Sequence, residues 1–341
     1  MRRLLMALPV LAALLCLCAC DTGTISGALD PVTKASSTLV PGVDTPVPEA
    51  EEETPLRTQE EAQLYYRCRS EAYLIAESRM VSRTPSQSWE FAVVNELLNG
   101  PSGTAVGLTK LFPENTRVLS AVKQGRTLFV TLSSDLLKGY DDEPVDWQED
   151  ETWRRECPLR RRLCMQSLVA TVTENCDVDQ VQVLVQQESG SQGSLRLKQN
   201  YFLDDSEDSV LVGPMTRDAS LLMGPENTMS LILTAWRERD WTRLYQWLLS
   251  RDPSSGTARP GQQSFITRME ELSAVVSATA SVPSFTSDGA VATFAVDFEL
   301  LLPDGSTSVS RSRILRLYND GGWWKTSMEQ LTGWLEVNEA S

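Results

Sequence analysis

Two carboxylates at alternate positions of a strand-like segment form the most suggestive pair for acid–base chemistry in this chain. Asp297 and Glu299 flank Phe298, so in a strand both carboxylates lie on the face opposite the aromatic ring. A catalytic pair would have to be buried together, with shifted pKa values. Such alternation more often marks a solvated strand face, which we expect here. The sequence contains no histidine, which excludes histidine-based proton transfer and most catalytic zinc sites.

An acidic run from Asp141 to Glu151 is the candidate for a calcium loop. It lacks the glycine and the regular acidic spacing that a calcium loop requires, so a solvated insertion is the better interpretation. A basic cluster follows directly, and these arginines could meet an acidic partner or the chain's own acidic loop. Pairing within the chain is the simpler prediction for Arg154, Arg155, Arg160, Arg161 and Arg162.

The spacing of the cysteines beyond the N-terminal segment matches no zinc-binding pattern; they are Cys68, Cys157, Cys164 and Cys176. Outside the cytoplasm, disulfides could form between them. If Cys157 and Cys164 are both helical, they stand about 10 Å apart along the helix axis and cannot form a bridge without distortion. Bridges from Cys164 to Cys68 or to Cys176 both stay open. The sequence therefore predicts no metal site, no cofactor and no catalytic residue.

The sequence NELLNGPSG, residues 95–103, contains glycines that could cradle a phosphate. A phosphate loop places its glycines before a helix, whereas Gly100 follows an apolar helical run and Pro101 prevents its continuation. No Lys-Ser or Lys-Thr pair follows at the spacing of a P-loop, so Gly100 is predicted to end a helix. Nine tryptophans could stack on sugars, but core packing is the prediction for those in apolar patterns, Trp236, Trp247 and Trp323.

The first twenty residues form a targeting segment. Arg2 and Arg3 precede an apolar run that is too short to span a bilayer comfortably. The stretch from Leu17 to Cys20, LCAC, resembles the bacterial lipoprotein signal, in which a leucine and a small residue precede the lipidated cysteine. The resemblance implies that Cys20 becomes the acylated N-terminus and tethers the protein to the extracytoplasmic face of the cell membrane. An ordinary secretory signal, cleaved nearby, is the alternative.

Residues 21–59 are rich in Thr, Ser, Pro, Gly and Glu and poor in apolar clusters. Such a segment cannot bury enough surface to fold, and we predict a disordered tether between the lipid and the folded part. The whole chain has 341 residues and a formal net charge of −15. A surface of this sign repels phosphates, which argues against a nucleic-acid partner. The remaining length suits two domains.

Apolar patterns predict the elements of the middle segment, residues 60–213. Two strands come first, and then a helix for which Thr84, Pro85 and Gln87 give the start signals. A hairpin, a long helix and a further strand follow. In chain order, the predicted strands and the long helix are Leu64–Cys68, Tyr73–Val81, Arg117–Lys123, Thr127–Leu132, Pro158–Glu174 (the helix) and Val181–Val185. Val118, Ser120 and Val122 are expected to share one face.

This order resembles the GerMN domain of sporulation and spore-germination lipoproteins. The series LLNGP (97–101), FPENT (112–116) and LFVTLS (128–133) carries the resemblance, together with residues 64–66 and 181–185. The resemblance implies an α+β domain in which helices pack on a small mixed sheet, similar to that of ring-building modules. It implies no catalysis, and it implies protein partners in the cell envelope, self-assembly included.

The C-terminal segment, residues 225–341, changes from helical to alternating patterns, which argues for an α+β domain. Helices are predicted at Met229–Leu249 and Phe265–Leu272, strands at Val275–Val282, around Phe294 to Leu300, at Val309–Tyr318 and at Trp323–Thr326. An interrupted helix at Ala235–Trp241 and the strand Gly322–Lys325 resemble the cone-shaped fold of nuclear transport factor two, also called cystatin-like. The resemblance implies a curved antiparallel sheet, and the fold includes both enzymes and binding modules.

Two functions are consistent with these patterns. The first is a non-catalytic, lipid-anchored extracytoplasmic interaction or scaffold protein in sporulation or spore-germination envelope complexes, binding through a sheet edge or a helix face. The second is an envelope ligand-binding lipoprotein or an enzyme with a pocket in the C-terminal cone. We expect the first, and a packed cone interior would count against the second.

Overall fold

A computed structural model of the chain describes residues 57–187, 193–203, 210–302 and 304–336. The predictions for the signal segment, for Cys20 and for almost all of the tether fall outside these ranges. Residues 54–341 form one compact unit. The first strand begins at Thr58, just before the predicted end of the tether.

The predicted α+β class is confirmed by six helices and thirteen strands among the described residues. The helices are α1 Trp89–Leu98, α2 Glu151–Asn175, α3 Pro225–Arg237, α4 Trp241–Tyr245, α5 Gln262–Glu270 and α6 Met328–Glu336. The strands are β1 Thr58–Cys68, β2 Leu74–Arg83, β3 Leu108–Thr109, β4 Val118–Gln124, β5 Thr127–Leu132, β6 Gln180–Gln186, β7 Ser194–Arg196, β8 Met215–Thr216, β9 Ala274–Ala280, β10 Ser284–Phe285, β11 Val291–Leu301, β12 Thr307–Asp320 and β13 Trp323–Lys325.

The described strands form three sheets. The first has the order β2-β1-β3, and the second has the order β4-β5-β6-β7, with β8 added to β6. Strands β5 and β6 run parallel, which makes the second sheet mixed, because its other pairs are antiparallel. The third sheet is antiparallel throughout, with the order β10-β11-β12-β13 and β9 paired with β11.

Helix α1 ends as predicted but begins later than predicted. Its N-cap is Ser88, whose hydroxyl accepts a hydrogen bond from the Phe91 backbone N–H, so the start at Thr84 was wrong. The residues from Thr84 to Gln87 form a turn instead. The Gln87 backbone N–H donates to the Thr84 carbonyl, and the Gln87 side-chain oxygen accepts a hydrogen bond from the Thr84 N–H. Gly100 has φ +90°, the left-handed conformation that stops a helix. Its carbonyl accepts a hydrogen bond from the Tyr66 hydroxyl at 3.0 Å, which ties the helix end to β1.

Helix α2 begins at Glu151, so the predicted start at Pro158 was also wrong. Asp150 is the actual N-cap, and its carboxylate accepts hydrogen bonds from the backbone of Thr152 and Trp153. Pro158 therefore lies inside the helix, where a proline ring normally costs stability. The cap at Asp150 and the contacts of α2 with α1 and β1 stabilise the helix and offset the cost of this proline.

Two hydrophobic cores fill the described unit. The first lies between α1, α2 and the strands β1 to β6, and the alternation predicted for β5 is confirmed because Leu128, Val130 and Leu132 are fully buried. The second lies between α3, α4, α5 and the concave face of the third sheet. Cys68 and Ile75, from the β1–β2 hairpin, belong to this second core, so the hairpin contributes to both.

The second core is filled by large side chains. Trp236, Trp247, Phe265 and Phe294 are each almost completely buried, as predicted for the first two. Trp323 is only half-buried, and its neighbour Trp324 takes the buried position instead. The helix is interrupted between α3 and α4, at residues 238–240, as predicted. Arg239 in this interruption has φ +56°. The resemblance of this half to the cone-shaped fold stays a prediction.

Candidate functional site

The carboxylate pair of β11 does not form an acid–base site. Asp297 is exposed and accepts a hydrogen bond from the Ser312 backbone N–H at 2.7 Å. It lies where the register between β11 and β12 shifts, and Ser312 has φ +53°. Glu299 accepts a hydrogen bond from the Ser277 hydroxyl at 3.1 Å. Asp297 therefore stabilises a β-bulge, and both carboxylates lie on the solvated face that the alternation predicts.

The basic cluster of α2 pairs with the acidic loop that precedes it. Arg160 binds both carboxylate oxygens of Asp142, and Arg161 binds Glu143 at 3.1 Å. The interaction of Arg160 lowers the pKa of Asp142. The pairing that we predicted within the chain is confirmed for these two arginines. Among the described residues, no group of three or more His, Cys, Asp or Glu side chains is placed to hold a metal ion.

The four described cysteines are free and buried. Burial raises the pKa of the Cys68, Cys164 and Cys176 thiols to about 12 and that of Cys157 to about 11. The two bridges left open by the sequence are absent. A buried thiol with a raised pKa is a poor nucleophile, so these cysteines act as core residues.

The tip of the β1–β2 hairpin joins the two cores through ionic contacts that the sequence does not reveal. Glu71, 9% exposed, accepts two hydrogen bonds from the Arg243 guanidinium, at 2.8 and 2.6 Å. Arg67 is bound in a similar way to Glu156 of α2. The Arg69 guanidinium lies over the Trp323 ring, 5.5 Å from its centre. Glu71 and Arg243 are far apart along the chain, so only folding brings them together.

The edge of β1 that faces α2 is closed by helix side chains. The Ser167 hydroxyl donates to the Tyr65 carbonyl at 2.6 Å, and the Thr171 hydroxyl accepts from the Tyr65 N–H at 2.9 Å. Asn175 makes the same pair of bonds with Gln63. These three residues recur every fourth position of α2 and so share one helix face. They satisfy backbone groups that an edge strand would otherwise expose.

Strand β4 is the candidate interaction edge, because it pairs only with β5 among the described strands. A register shift at Leu119 places an extra residue in β4. The bulge breaks the predicted alternation, so Val122 is 50% exposed although Val118 is buried, and Leu119 is 43% exposed. The one charged residue of β4, Lys123, is paired with Asp177 at 3.2 Å. The edge thus presents unpaired backbone and apolar side chains with its charge neutralised.

No helix in the described part of the chain is long and apolar enough to cross a membrane. The association with a membrane predicted for this protein thus concerns Cys20, outside the described residues.

Comparison with known proteins shows a similarity of the middle segment to one family. Residues 63–190 match the model of a family described as Germane: Sporulation and spore germination. No curated protein matches the chain.

Three solved structures show partial likeness. Tandem GerMN domains of the sporulation protein GerM from Bacillus subtilis share 19% identity, with a TM-score of 0.31 over 49% of this chain and 47% of that one. The first GerMN domain of the same protein gives 17% identity and a TM-score of 0.26, over 47% of this chain and 96% of that one. Delta 5-3-ketosteroid isomerase from Mycobacterium sp. gives 12% identity and a TM-score of 0.25, over 30% of this chain and 89% of that one.

At these TM-scores, a shared function does not follow from the structural likeness. This chain spans about half the length of the tandem-domain structure. The family match is the stronger finding, because it covers the segment that carries the LLNGP, FPENT and LFVTLS series. Residues 63–190 are therefore similar in sequence to the Germane family, which is described as sporulation and spore germination.

Proposed function

We propose that this chain is a non-catalytic, lipid-anchored interaction protein on the extracytoplasmic face of the cell membrane, in sporulation or spore-germination envelope complexes. The observation that carries the proposal is the Germane match over residues 63–190. The lipoprotein-like signal that ends at Cys20 supports the anchor, since several acyl chains hold a protein stably where one does not.

The contact surface in this proposal is the free edge of β4, and the partners include a second copy of the chain. The overall charge of −15 makes copies repel one another, so an assembly surface has to be locally uncharged. The β4 edge meets this condition, because Lys123 is paired with Asp177 and the exposed side chains Leu119 and Val122 are apolar. Strand addition at such an edge gains backbone hydrogen bonds and apolar contact together.

The alternative, a ligand binder or an enzyme acting through the C-terminal half, has less support. The hydrophobic core of the C-terminal half is filled by Trp236, Trp247 and Phe265. A cavity of 540 Å³ lies between α3 and β9, at the margin of this core. The only carboxylate and the only cation that line it, Glu226 and Arg237, are both exposed. Nothing among these residues resembles a buried acid–base pair.

Site-specific photocrosslinking in the membrane tests the proposal. A photoreactive residue placed at position 122 of the full chain is expected to give crosslinked adducts of higher mass. The matched control is position 276, where Val276 of β9 is 44% exposed on a strand of the third sheet. Adducts at 122 and few at 276 are the expected result. Equal crosslinking at both positions, or none at 122, would contradict a contact at the β4 edge.

A further inference from the structure

A cavity of 670 Å³ opens at the β7 edge of the second sheet, away from the free β4 edge. Its walls come from β6, β7, α2 and the short helical turns Ser134–Leu137 and Gln199–Phe202. Neither the family match nor the proposed contact at β4 assigns a role to this cavity.

Three cations line the cavity in a chain that is otherwise strongly acidic. Arg196 and Lys198 are exposed and form no ion pair within the described residues. Arg161 is 9% exposed, and one of its terminal nitrogens binds Glu143. The neighbouring Arg160 of α2 is likewise paired, with Asp142 and Glu156. Arg196 and Lys198 thus place positive charge at the cavity that no carboxylate of the described residues balances.

One buried polar group beside the cavity, the Nε of Arg161, forms no hydrogen bond within the described residues. Tyr201 also lines the cavity and is 5% exposed, but its hydroxyl interacts with the buried thiol of Cys164. The guanidinium of Arg161 lies over the Tyr201 ring, 5.6 Å from its centre. Buried polar groups are nearly always hydrogen-bonded in native proteins, so the unpaired Nε of Arg161 beside a cavity points to a binding partner outside the protein.

Part of the cavity lining is apolar. Leu195 is 56% exposed and Leu137 is 49% exposed, and Val185 and Leu197 lie behind them. Small-molecule sites typically combine such an apolar lining with a few fixed polar groups. The apolar side chains and the cations therefore suit a ligand that has one aliphatic end and one anionic end.

We infer that this cavity binds an amphipathic anion, a phosphate or carboxylate that carries an aliphatic group. The anionic end contacts Arg161, Arg196 and Lys198, because guanidinium and ammonium groups form strong, charge-assisted hydrogen bonds with such oxygens. The aliphatic end covers Leu137 and Leu195. The local cations attract the anion although the chain as a whole is negatively charged. The affinity for the anion should therefore fall as added salt screens these cations.

Calorimetric titration of residues 21–341, which include the whole compact unit, tests this inference. Octyl phosphate, kept below its micellar concentration, is expected to bind at one site, and inorganic phosphate and octyl glucoside are expected to bind more weakly. The double variant R196Q/K198Q should weaken octyl phosphate binding by about tenfold or more. The control variant R154Q/R311Q removes the same charge from exposed positions outside the cavity and should leave the affinity within about twofold.

A second variant separates the two ends of the ligand. Leu195→Asn should weaken binding of octyl phosphate and leave binding of inorganic phosphate unchanged. Vesicles that contain phosphatidylglycerol distinguish a lipid source from a soluble one: binding to octyl phosphate alone supports a soluble ligand, and binding to both supports a lipid headgroup. Equal affinity for octyl glucoside, no binding of octyl phosphate, or an unchanged affinity in R196Q/K198Q would overturn the inference.

Discussion

Asn175, the last residue of α2, binds both backbone groups of Gln63 in β1. Its side-chain oxygen accepts from the Gln63 N–H and its side-chain nitrogen donates to the Gln63 carbonyl, both at 2.8 Å. The amide thus occupies the position that a neighbouring strand would take. Together with Ser167 and Thr171, it closes one edge of the first sheet and leaves β4 as the open edge of the second.

The first prediction concerns this amide. Asn175→Ala should lower the free energy of unfolding by about 1–3 kcal/mol, because two half-buried backbone groups lose their partner. Urea denaturation of residues 21–341 measures the change. Asn95→Ala is the matched control, since Asn95 is an exposed asparagine of α1 and alanine has a higher helix propensity. A loss of the same size in both variants would show that the bond pair adds nothing specific.

The second prediction concerns the ion pair between Glu71 and Arg243, which joins the two cores. Glu71→Gln should destabilise the protein by about 1–3 kcal/mol, because it leaves Arg243 half-buried beside a neutral amide. In a double-mutant cycle with Arg243→Gln, the two losses should not add, with a coupling energy of about 1 kcal/mol. Additive losses would mean that the contact does not couple the two cores.

The third prediction uses the buried thiol of Cys164. Burial raises its pKa to about 12, above the unfolded value of about 8.5. A group whose pKa is raised on folding contributes its full stability below the unfolded pKa and loses it as pH rises towards the folded value. Between about pH 7.5 and 9.5, Cys164 should therefore account for a loss of about 1.4 kcal/mol of unfolding free energy.

Urea denaturation under reducing conditions at the two pH values measures this loss. Between these pH values, the unfolding free energy of Cys164→Ala should decrease less than that of the wild type, and the difference should equal the loss assigned to this thiol. This expectation does not depend on the stability of the variant at neutral pH. Identical decreases in the two proteins would contradict the buried, neutral thiol. Ellman's reagent should likewise label the native protein slowly and label all four cysteines after unfolding.

The fourth prediction concerns the lipid anchor. Cys20→Ser in the full chain should abolish the acyl mass and release the protein from the membrane fraction, because no other thiol occupies the position of the lipidated residue. Cys18→Ser is the matched control and should keep both. Intact-mass measurement and detergent phase partitioning report the two properties. Acylation of the Cys20→Ser protein would contradict the lipoprotein interpretation.

Local patterns predicted much of the fold. The alternation in β5 and β11 identified buried faces, and Gly100 marked a helix end, because these signals depend on neighbouring residues only. The start of α2 was wrong because Pro158 is a typical first helical residue, whereas the cap at Asp150 and packing on β1 determine the start. Val122 was expected to share a face with Val118 because a bulge at Leu119 leaves no signature in the sequence.

The contacts that distinguish the candidate sites could not be predicted in this way. Glu71 meets Arg243, and Arg161 meets Tyr201, only when distant segments fold together. A basic cluster in the sequence does not show which arginines will be neutralised. Arg160 and Arg161 both pair with the acidic loop, yet Arg161 keeps an Nε that has no partner among the described residues.

The solution mass of residues 21–341 across a concentration series tests the central claim most directly. Light scattering should show growth from monomer to higher oligomers as concentration rises. Val122→Lys should suppress this growth, because a charge at the β4 edge disfavours strand pairing, and Val276→Lys should not. A strict monomer at every concentration, or equal growth in both variants, would contradict association through the β4 edge.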